Sequence, residues 1–222
     1  MKHITFYFDV ISPYAYLAFE QLPVALMGNS YSVTYQPILL AGLLKHHGQL
    51  GPAEIPPKRD WTYRHILWLA RELSIPMQFP AAHPFNPLSL QRLAVASGKL
   101  GTPNRITVER LFHHVWCNGL AADDTSRLHI LLNELEPTQN PNSPDVKNKL
   151  KSNTDEAIAK GVFGVPTFEV EGKLFFGLEA LPMLAAYLKD DDWFSDANWN
   201  IAANVPVAIS RKPDALLLKA DK

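Results

Sequence analysis

The chain has 222 residues, 47% of them hydrophobic, which is enough to bury the core of one large domain or of a domain with an insertion. Its 21 basic and 22 acidic residues give a formal net charge of -1, so electrostatics give no reason to expect a nucleic acid or an anionic membrane as partner. The single cysteine, Cys117, excludes an intrachain disulfide and a Cys-x-x-Cys redox cycle.

The first predicted elements are a strand and the helix that follows it. Residues 4–8 form a β-branched and aromatic run of strand length. We expect neither a signal sequence nor a membrane-spanning segment, because residues 1–3 pass directly into this strand and no apolar run approaches spanning length. Ser12 is then the predicted N-cap of a helix, with Pro13 at its first position. A helix N-terminus offers unpaired N–H groups and about half a positive charge, which favours an anion such as a thiolate. The same pattern is also typical of a serine that does no more than cap a helix.

The middle of the chain is predicted to be largely helical. Residues 31–38 alternate as a second strand, and the pattern is helical for more than a hundred residues after it. Predicted helices, separated by segments rich in Pro, Gly and Asn, span residues 58–73, 88–97, 105–116, 124–134 and 145–160. Cys117 follows the third of these helices, with no base or helix N-terminus beside it in sequence, so an inert, partly buried thiol is predicted.

The last predicted elements are a hairpin and a helix. Strands 167–170 and 174–176 are joined by a turn that contains Gly172, and a helix spans 180–188. Pro166 stands where the first of these strands begins, where proline is tolerated. A cis Val165–Pro166 bond would turn the backbone N–H and C=O of Val165 toward a peptide ligand, although the trans isomer is commoner on general grounds.

Several other chemistries have no support in the sequence. The eight histidines show no metal-ligand spacing, and we expect no metal site. There is no Gly-rich phosphate loop, and there is no Gly-x-Ser-x-Gly elbow that would make Ser12 a covalent nucleophile. Ser12 is therefore interpreted as a hydrogen-bond donor.

Three segments resemble the signatures of a known family. These are Phe8-Asp9-Val10-Ile11-Ser12-Pro13-Tyr14-Ala15-Tyr16-Leu17, Pro84-Phe85-Asn86 and Gly161-Val162-Phe163-Gly164-Val165-Pro166-Thr167-Phe168. They resemble the 2-hydroxychromene-2-carboxylate isomerases, which belong with the kappa-class glutathione transferases in the DsbA-like branch of the thioredoxin superfamily. The resemblance implies an α/β, thioredoxin-like fold with a large all-helical insertion, a cis Val165–Pro166 bond, glutathione as cofactor, and Ser12 beside the glutathione sulfur.

The resemblance also implies roles for three further residues. Lys58 would contact the glycyl carboxylate of glutathione or the substrate, although it is equally a solvated lysine whose stem covers apolar surface. Asn86 would lie at the substrate pocket, or else be a turn residue or helix cap. Glu179 would hold the γ-glutamyl ammonium of glutathione, or simply favour the start of the last predicted helix.

The chain departs from that family at two places. Relatives usually carry Trp-Gly-Asn-Asp-Arg after the hairpin, whereas this chain has Phe176-Gly177-Leu178-Glu179-Ala180, without the arginine. The helix that carries Lys58 has His65 and Trp68 where relatives tend to have Asp and Arg. These differences leave the substrate and the strength of glutathione binding open.

The residues and the resemblance together give the following expectations. Residues 1–38 and 161–190 form the thioredoxin-like domain, 39–160 the helical insertion, and 191–222 a C-terminal extension whose tryptophans pack on the body or on a second subunit. The protein is a cytoplasmic homodimer that isomerises a small aromatic keto acid or chromene carboxylate with glutathione. The alternatives are a kappa-like glutathione transferase and a non-catalytic thioredoxin-like binding module.

Overall fold

The first strand, β1 (Lys2–Phe8), lies in the interior of a four-stranded sheet of order β2-β1-β3-β4 in the computed structural model, which describes residues 1–209. It pairs in parallel with β2 (Tyr31–Pro37) and antiparallel with β3 (Thr167–Val170). β3 forms a hairpin with β4 (Lys173–Phe176) around a turn in which Gly172 has a positive φ. The predicted hairpin and the predicted α/β, thioredoxin-like arrangement of strands are confirmed.

The helices flank this sheet and fill the long connection between β2 and β3. Helix α1 (Pro13–Ala25) joins β1 to β2, and α8 (Leu181–Leu188) follows β4 and packs against α1. The connection holds six helices, namely α2 (Leu40–His47), α3 (Pro56–Glu72), α4 (Leu88–Ser97), α5 (Arg105–Trp116), α6 (Thr125–Leu135) and α7 (Pro144–Ala159). A short helix α9 (Ala197–Ala203) comes last among the described residues.

The main hydrophobic core lies between the sheet and helices α1, α4 and α5. Phe6 and Phe168, from neighbouring strands, stack with ring centroids 4.8 Å apart. Phe19 of α1 contacts Phe112 of α5 at 5.3 Å between centroids. The strands and the helical connection therefore share one core, and the connection packs directly over the end of β1 at which the site lies.

Most sequence-based boundaries agree with the structure to within two residues, and two helices, α2 and α9, were missed. Helix α2 did not appear in the prediction because residues 40–47 combine apolar residues with two adjacent histidines and give no N-cap signal. The helix predicted over 180–188 agrees with α8 to within one residue, and a 3-10 turn over Leu178–Ala180 comes directly before it. The division into a two-segment domain and an insertion stays a prediction.

The C-terminal segment packs on the body as far as it is described. Phe194 is buried and lies 5.0 Å from Tyr187 and 5.9 Å from Phe175 between ring centroids, and Trp199 contacts the same group. Residues 210–222 of the predicted extension lie outside the described residues. Among the residues that are described, no helix combines the length and the apolar character needed to cross a bilayer.

Candidate active site

The candidate site is centred on the loop that joins β1 to α1. Ser12 has an extended backbone and caps α1, as predicted, with its Oγ accepting a hydrogen bond from the Ala15 N–H at 3.2 Å. Its own N–H donates to the Asp9 carbonyl at 3.0 Å. Only 6% of Ser12 is exposed, so the hydroxyl lies in a nearly dry environment at the positive end of a helix.

The structure brings Ser12 together with the segment that precedes β3. The Val165–Pro166 peptide bond is cis, as the family resemblance implied and against the general preference for trans. The Ser12 hydroxyl donates to the Val165 carbonyl at 3.3 Å, across 153 positions of sequence. Within the described residues the Val165 N–H donates to no protein acceptor. Ser12, Val165 and Pro166 therefore form one small cluster with an unused backbone donor.

Buried side chains from the helical connection hold the backbone of this loop. Gln91 of α4 accepts from the Val10 N–H at 3.4 Å and donates to the carbonyl of Phe8 at 3.1 Å. The indole N–H of Trp116, at the end of α5, donates to the Val10 carbonyl at 2.9 Å. Buried peptide groups need partners of this kind, so these contacts fix the direction in which the loop presents Ser12.

His83 completes this support from the segment before α4. Its Nε2 donates to the Ile11 carbonyl at 2.8 Å, and its Nδ1 lies 2.7 Å from the Tyr63 hydroxyl, which donates to it. Burial lowers the pKa of the His83 imidazole, in agreement with a neutral ring in this arrangement. Sequence reasoning missed His83, Gln91 and Trp116 because their partners lie about 70 to 110 positions away along the chain.

Asp9 is a fully buried carboxyl group beneath the site. One oxygen accepts from the Ile11 N–H at 3.2 Å and the other from the Leu40 N–H at 2.9 Å, which ties the loop to the start of α2. Burial raises the pKa of Asp9 to about 7, against the lowering effect of these two N–H donors. No cationic group is hydrogen-bonded to this carboxyl among the described residues. A clue was present in the sequence, since an acid directly after a buried strand is uncommon.

Glu179 lies near the first turn of α1. The 3-10 turn that contains it packs against α1, and the charge of Glu179 contributes, after burial, to raising the pKa of Tyr14. Gly177 has a φ of 93° and leaves room for the Glu179 carboxylate, because a Cβ at that glycine would come within 2.5 Å of it. Glu179 is exposed, so its carboxylate can meet a ligand from solvent.

Lys58 and Asn86 are both exposed, and the structure gives them different local roles. Lys58 lies in the first turn of α3 and makes no ion pair within the described residues, at a helix end that normally disfavours a cation. The Asn86 Oδ1 accepts from the Leu88 N–H at 3.1 Å, which satisfies a donor at the start of α4. Neither residue is hydrogen-bonded to Ser12 in the described part of the chain.

Cys117 and the acidic residues nearby lie outside this cluster. The Cys117 Sγ lies 3.3 Å from the Tyr16 hydroxyl, and burial raises the pKa of the thiol, which agrees with the predicted inert cysteine. Glu20, Glu109 and His113 bring three possible metal ligands within 4.8 Å of one another, a proximity that sequence spacing did not reveal. His113 is hydrogen-bonded to Glu20 at 2.8 Å in this group.

Comparison with known proteins adds independent information. A family model described as a DSBA-like thioredoxin domain matches residues 3–189. Glutathione S-transferase kappa 2 of Caenorhabditis elegans is 31% identical over 208 residues, which cover 85% of this chain and 92% of that protein. The 2-hydroxychromene-2-carboxylate isomerase of Sphingobium xenophagum is 28% identical over 196 residues, which cover 85% of this chain and 99% of that protein.

The solved structures include a similar fold. A 2-hydroxychromene-2-carboxylate isomerase superposes on this chain with a TM-score of 0.74 and 24% sequence identity, over 92% of this chain and all of the other. At that identity the superposition establishes the shared architecture. The alignments with the two sequence relatives cover nearly the full lengths of those proteins, so the similarity is to whole proteins rather than to one segment.

Proposed function

Since this chain belongs to the family of DSBA-like thioredoxin domains, with kappa-class glutathione transferases and 2-hydroxychromene-2-carboxylate isomerases among its relatives, we propose that it is a glutathione-dependent isomerase. The proposed reaction interconverts 2-hydroxychromene-2-carboxylate and trans-o-hydroxybenzylidenepyruvate in the degradation of aromatic compounds. The observation that carries the proposal is the hydrogen bond from the Ser12 hydroxyl to the Val165 carbonyl, at the start of α1 and beside Pro166.

The backbone around Val165 fits an extended tripeptide. Its N–H has no acceptor among the described residues, and its carbonyl has only a long contact from Ser12. An extended peptide added along this edge would satisfy both groups, as in other cases of strand addition. A ligand N–H on the Val165 carbonyl would also release the Ser12 hydroxyl, which could then turn toward a neighbouring sulfur.

The N-terminus of α1 fits a negatively charged sulfur. Pro13 has no N–H, and the Tyr14 N–H has no acceptor in the described part of the chain, so one helix donor faces outward beside the Ser12 hydroxyl. An ordinary thiol has a pKa of about 8.5, and each unit of lowering corresponds to about 1.4 kcal/mol in favour of the thiolate. The Tyr14 N–H, the Ser12 hydroxyl and the dipole of α1 therefore act together to lower the pKa of a thiol bound at this place.

Glutathione, when bound, would supply a thiolate nucleophile whose reversible addition to a conjugated carbon would permit rotation about the former double bond. The residues of this chain hold the reactants in place for that chemistry. Ser12 and the start of α1 stabilise the negative sulfur, and Glu179 holds the γ-glutamyl ammonium. Lys58 and Asn86 bind the carboxylate and carbonyl oxygens of the substrate, or the glycyl carboxylate in the case of Lys58.

A kappa-like transferase is the second candidate, because it needs the same activated thiol and a kappa-class protein is among the relatives. Incubation with a chromene carboxylate and with an electrophilic aryl halide separates the two. Recovery of all the glutathione with conversion of the chromene supports the isomerase, and loss of one glutathione for each aryl halide supports the transferase. Absence of glutathione binding by calorimetry would overturn both and leave the non-catalytic binding module.

The proposed setting is a homodimer in the cytoplasm that acts on a small aromatic acid. Sedimentation of the intact protein tests the dimer, with a mass of about twice 24.9 kDa expected. Sedimentation at the mass of a single chain would contradict it.

A further inference from the structure

Three aromatic side chains form a row on the exposed face of α3. Trp61, His65 and Trp68 are spaced by four and three residues, so they lie on one side of the helix. The ring of His65 is nearly parallel to both indoles, at 5.8 Å and 7° from Trp61 and at 6.2 Å and 14° from Trp68. Trp61 is 66% exposed and Trp68 is 50% exposed, which is unusual for side chains of this size. We refer to these three residues as the aromatic row.

A hydrogen bond joins the aromatic row to the helix of the candidate site. The Tyr14 hydroxyl lies 3.0 Å from the His65 Nδ1, and Tyr14 is the second residue after the Ser12 cap. Burial raises the pKa of Tyr14, so its phenol keeps its proton and the contact is a hydrogen bond between a neutral hydroxyl and the imidazole. The Nε2 of the same ring lies on the side away from Tyr14 and is left for a ligand.

The outward side of the aromatic row consists of flat surfaces and N–H donors. The His65 Nε2 and the indole nitrogens of Trp61 and Trp68 have no acceptor within residues 1–209. Lys58 lies three residues before Trp61 on the same side of α3 and places a positive charge at one end of the row. A ligand that matches this surface is planar and aromatic, with a negatively charged oxygen group on one edge.

We propose that the aromatic row binds the ring of the second substrate, a planar aromatic acid, and that His65 and Trp68 determine which acceptor reaches the sulfur held at Ser12. This assignment rests on the proposed function, in which glutathione occupies the neighbouring site. The ring stacks on the exposed indole surface, and an oxygen of the acid accepts a hydrogen bond from the His65 Nε2. Tyr14 positions His65 through the hydrogen bond between its hydroxyl and the His65 Nδ1.

The test measures binding of a stable probe, 2-hydroxycinnamate, by calorimetry with and without S-methylglutathione. We expect Trp68→Ala and His65→Ala each to weaken binding of this probe by about three- to tenfold, the range typical of one aromatic contact. Cyclohexanepropionate, which has the carboxylate but no aromatic ring, should bind more weakly to the wild type and show no effect of Trp68→Ala. The matched control is Trp193→Ala, since Trp193 is another exposed tryptophan and lies near the C-terminal helix.

Each outcome bears on one proposal. Equal affinity of the wild type and Trp68→Ala for 2-hydroxycinnamate overturns the role of the aromatic row, whether or not S-methylglutathione binds. Failure of S-methylglutathione to bind the wild type overturns the proposed function. In that case the titration of 2-hydroxycinnamate alone still tests the role of the aromatic row. A change of sedimentation mass in Trp68→Ala would identify the row as an interface between copies and overturn the proposal. Circular dichroism and chemical denaturation confirm that each variant is folded.

Discussion

The Ser12→Ala variant should raise the pKa of the thiol of bound glutathione and slow turnover. In the structure the hydroxyl accepts from the Ala15 N–H at 3.2 Å and donates to the Val165 carbonyl at 3.3 Å. Loss of the cap should reduce the free energy of unfolding by about 1 kcal/mol. Loss of a hydrogen bond to a charged sulfur costs about 1.5–3 kcal/mol, which corresponds to a rise of about one to two pKa units.

Titration of the thiolate by its ultraviolet absorbance, with protein in excess over glutathione, measures this change. At a pH below the pKa of the bound thiol in both proteins, turnover should fall by about ten- to a hundredfold because the thiolate fraction falls tenfold for each unit by which the pKa rises. Ser12→Thr keeps a hydroxyl and should restore most of the effect.

The chain offers a matched control for the cap itself. Ser143 also caps a helix that begins with proline, and it accepts from the Val146 N–H at 3.3 Å at the start of α7. Ser143→Ala should therefore lose a similar free energy of unfolding and leave the thiol titration unchanged. If Ser12→Ala also leaves the titration unchanged and loses only stability, the hydroxyl is a cap and the proposed role of Ser12 is wrong.

Three further outcomes are expected. Asp9→Asn should flatten the pH dependence of stability. The folded-state pKa of Asp9 is about 7 and the unfolded value is 3.8, so the free energy of unfolding of the wild type should fall by about 4 kcal/mol as the pH rises from the lower value to the higher one. If the wild type and the variant change equally in denaturation experiments between pH 5 and pH 8, this reasoning is contradicted. Glu179→Gln should weaken glutathione binding in calorimetry by about two- to fivefold, the effect expected for an exposed ion pair. The same variant should bind an analogue that lacks the γ-glutamyl amino group as tightly as the wild type does, and equal losses for both ligands would argue against the assigned contact. His83→Phe removes the donor to the Ile11 carbonyl and should lower the free energy of unfolding by about 1–3 kcal/mol and weaken glutathione binding. An unchanged unfolding midpoint would show that the loop does not depend on His83.

The sequence was most informative where local chemistry decides the structure. The serine cap, the hairpin around Gly172 and helices α4 and α5 follow from caps, turns and periodicity, and the structure confirms them. The family prediction is also confirmed, by a family model that matches residues 3–189. These features depend on residues close together in the chain, which is why spacing was enough to find them.

The supports of the candidate site could not be found in this way. Gln91, Trp116 and His83 look like ordinary residues of helices and loops, and only the fold brings them to the backbone of residues 8–11. Physical reasoning on an X-Pro bond favours trans, whereas the structure has the cis isomer at Val165 that the resemblance implied. Tertiary contacts thus decide the parts of the site that local preference leaves open or predicts wrongly.

The order of the strands also bears on how the protein is made. Because β1 lies between β2 and β3, the first strand to leave the ribosome lacks one of its two neighbours until residues 167–170 have been synthesised. At roughly 5–20 residues per second, the 153 positions between Ser12 and Val165 correspond to a delay of about 8–30 s. A nascent or prematurely terminated chain that ends before residue 165 therefore carries the serine without the segment proposed to bind the tripeptide, and it leaves one edge of β1 unpaired and open to pairing with another chain.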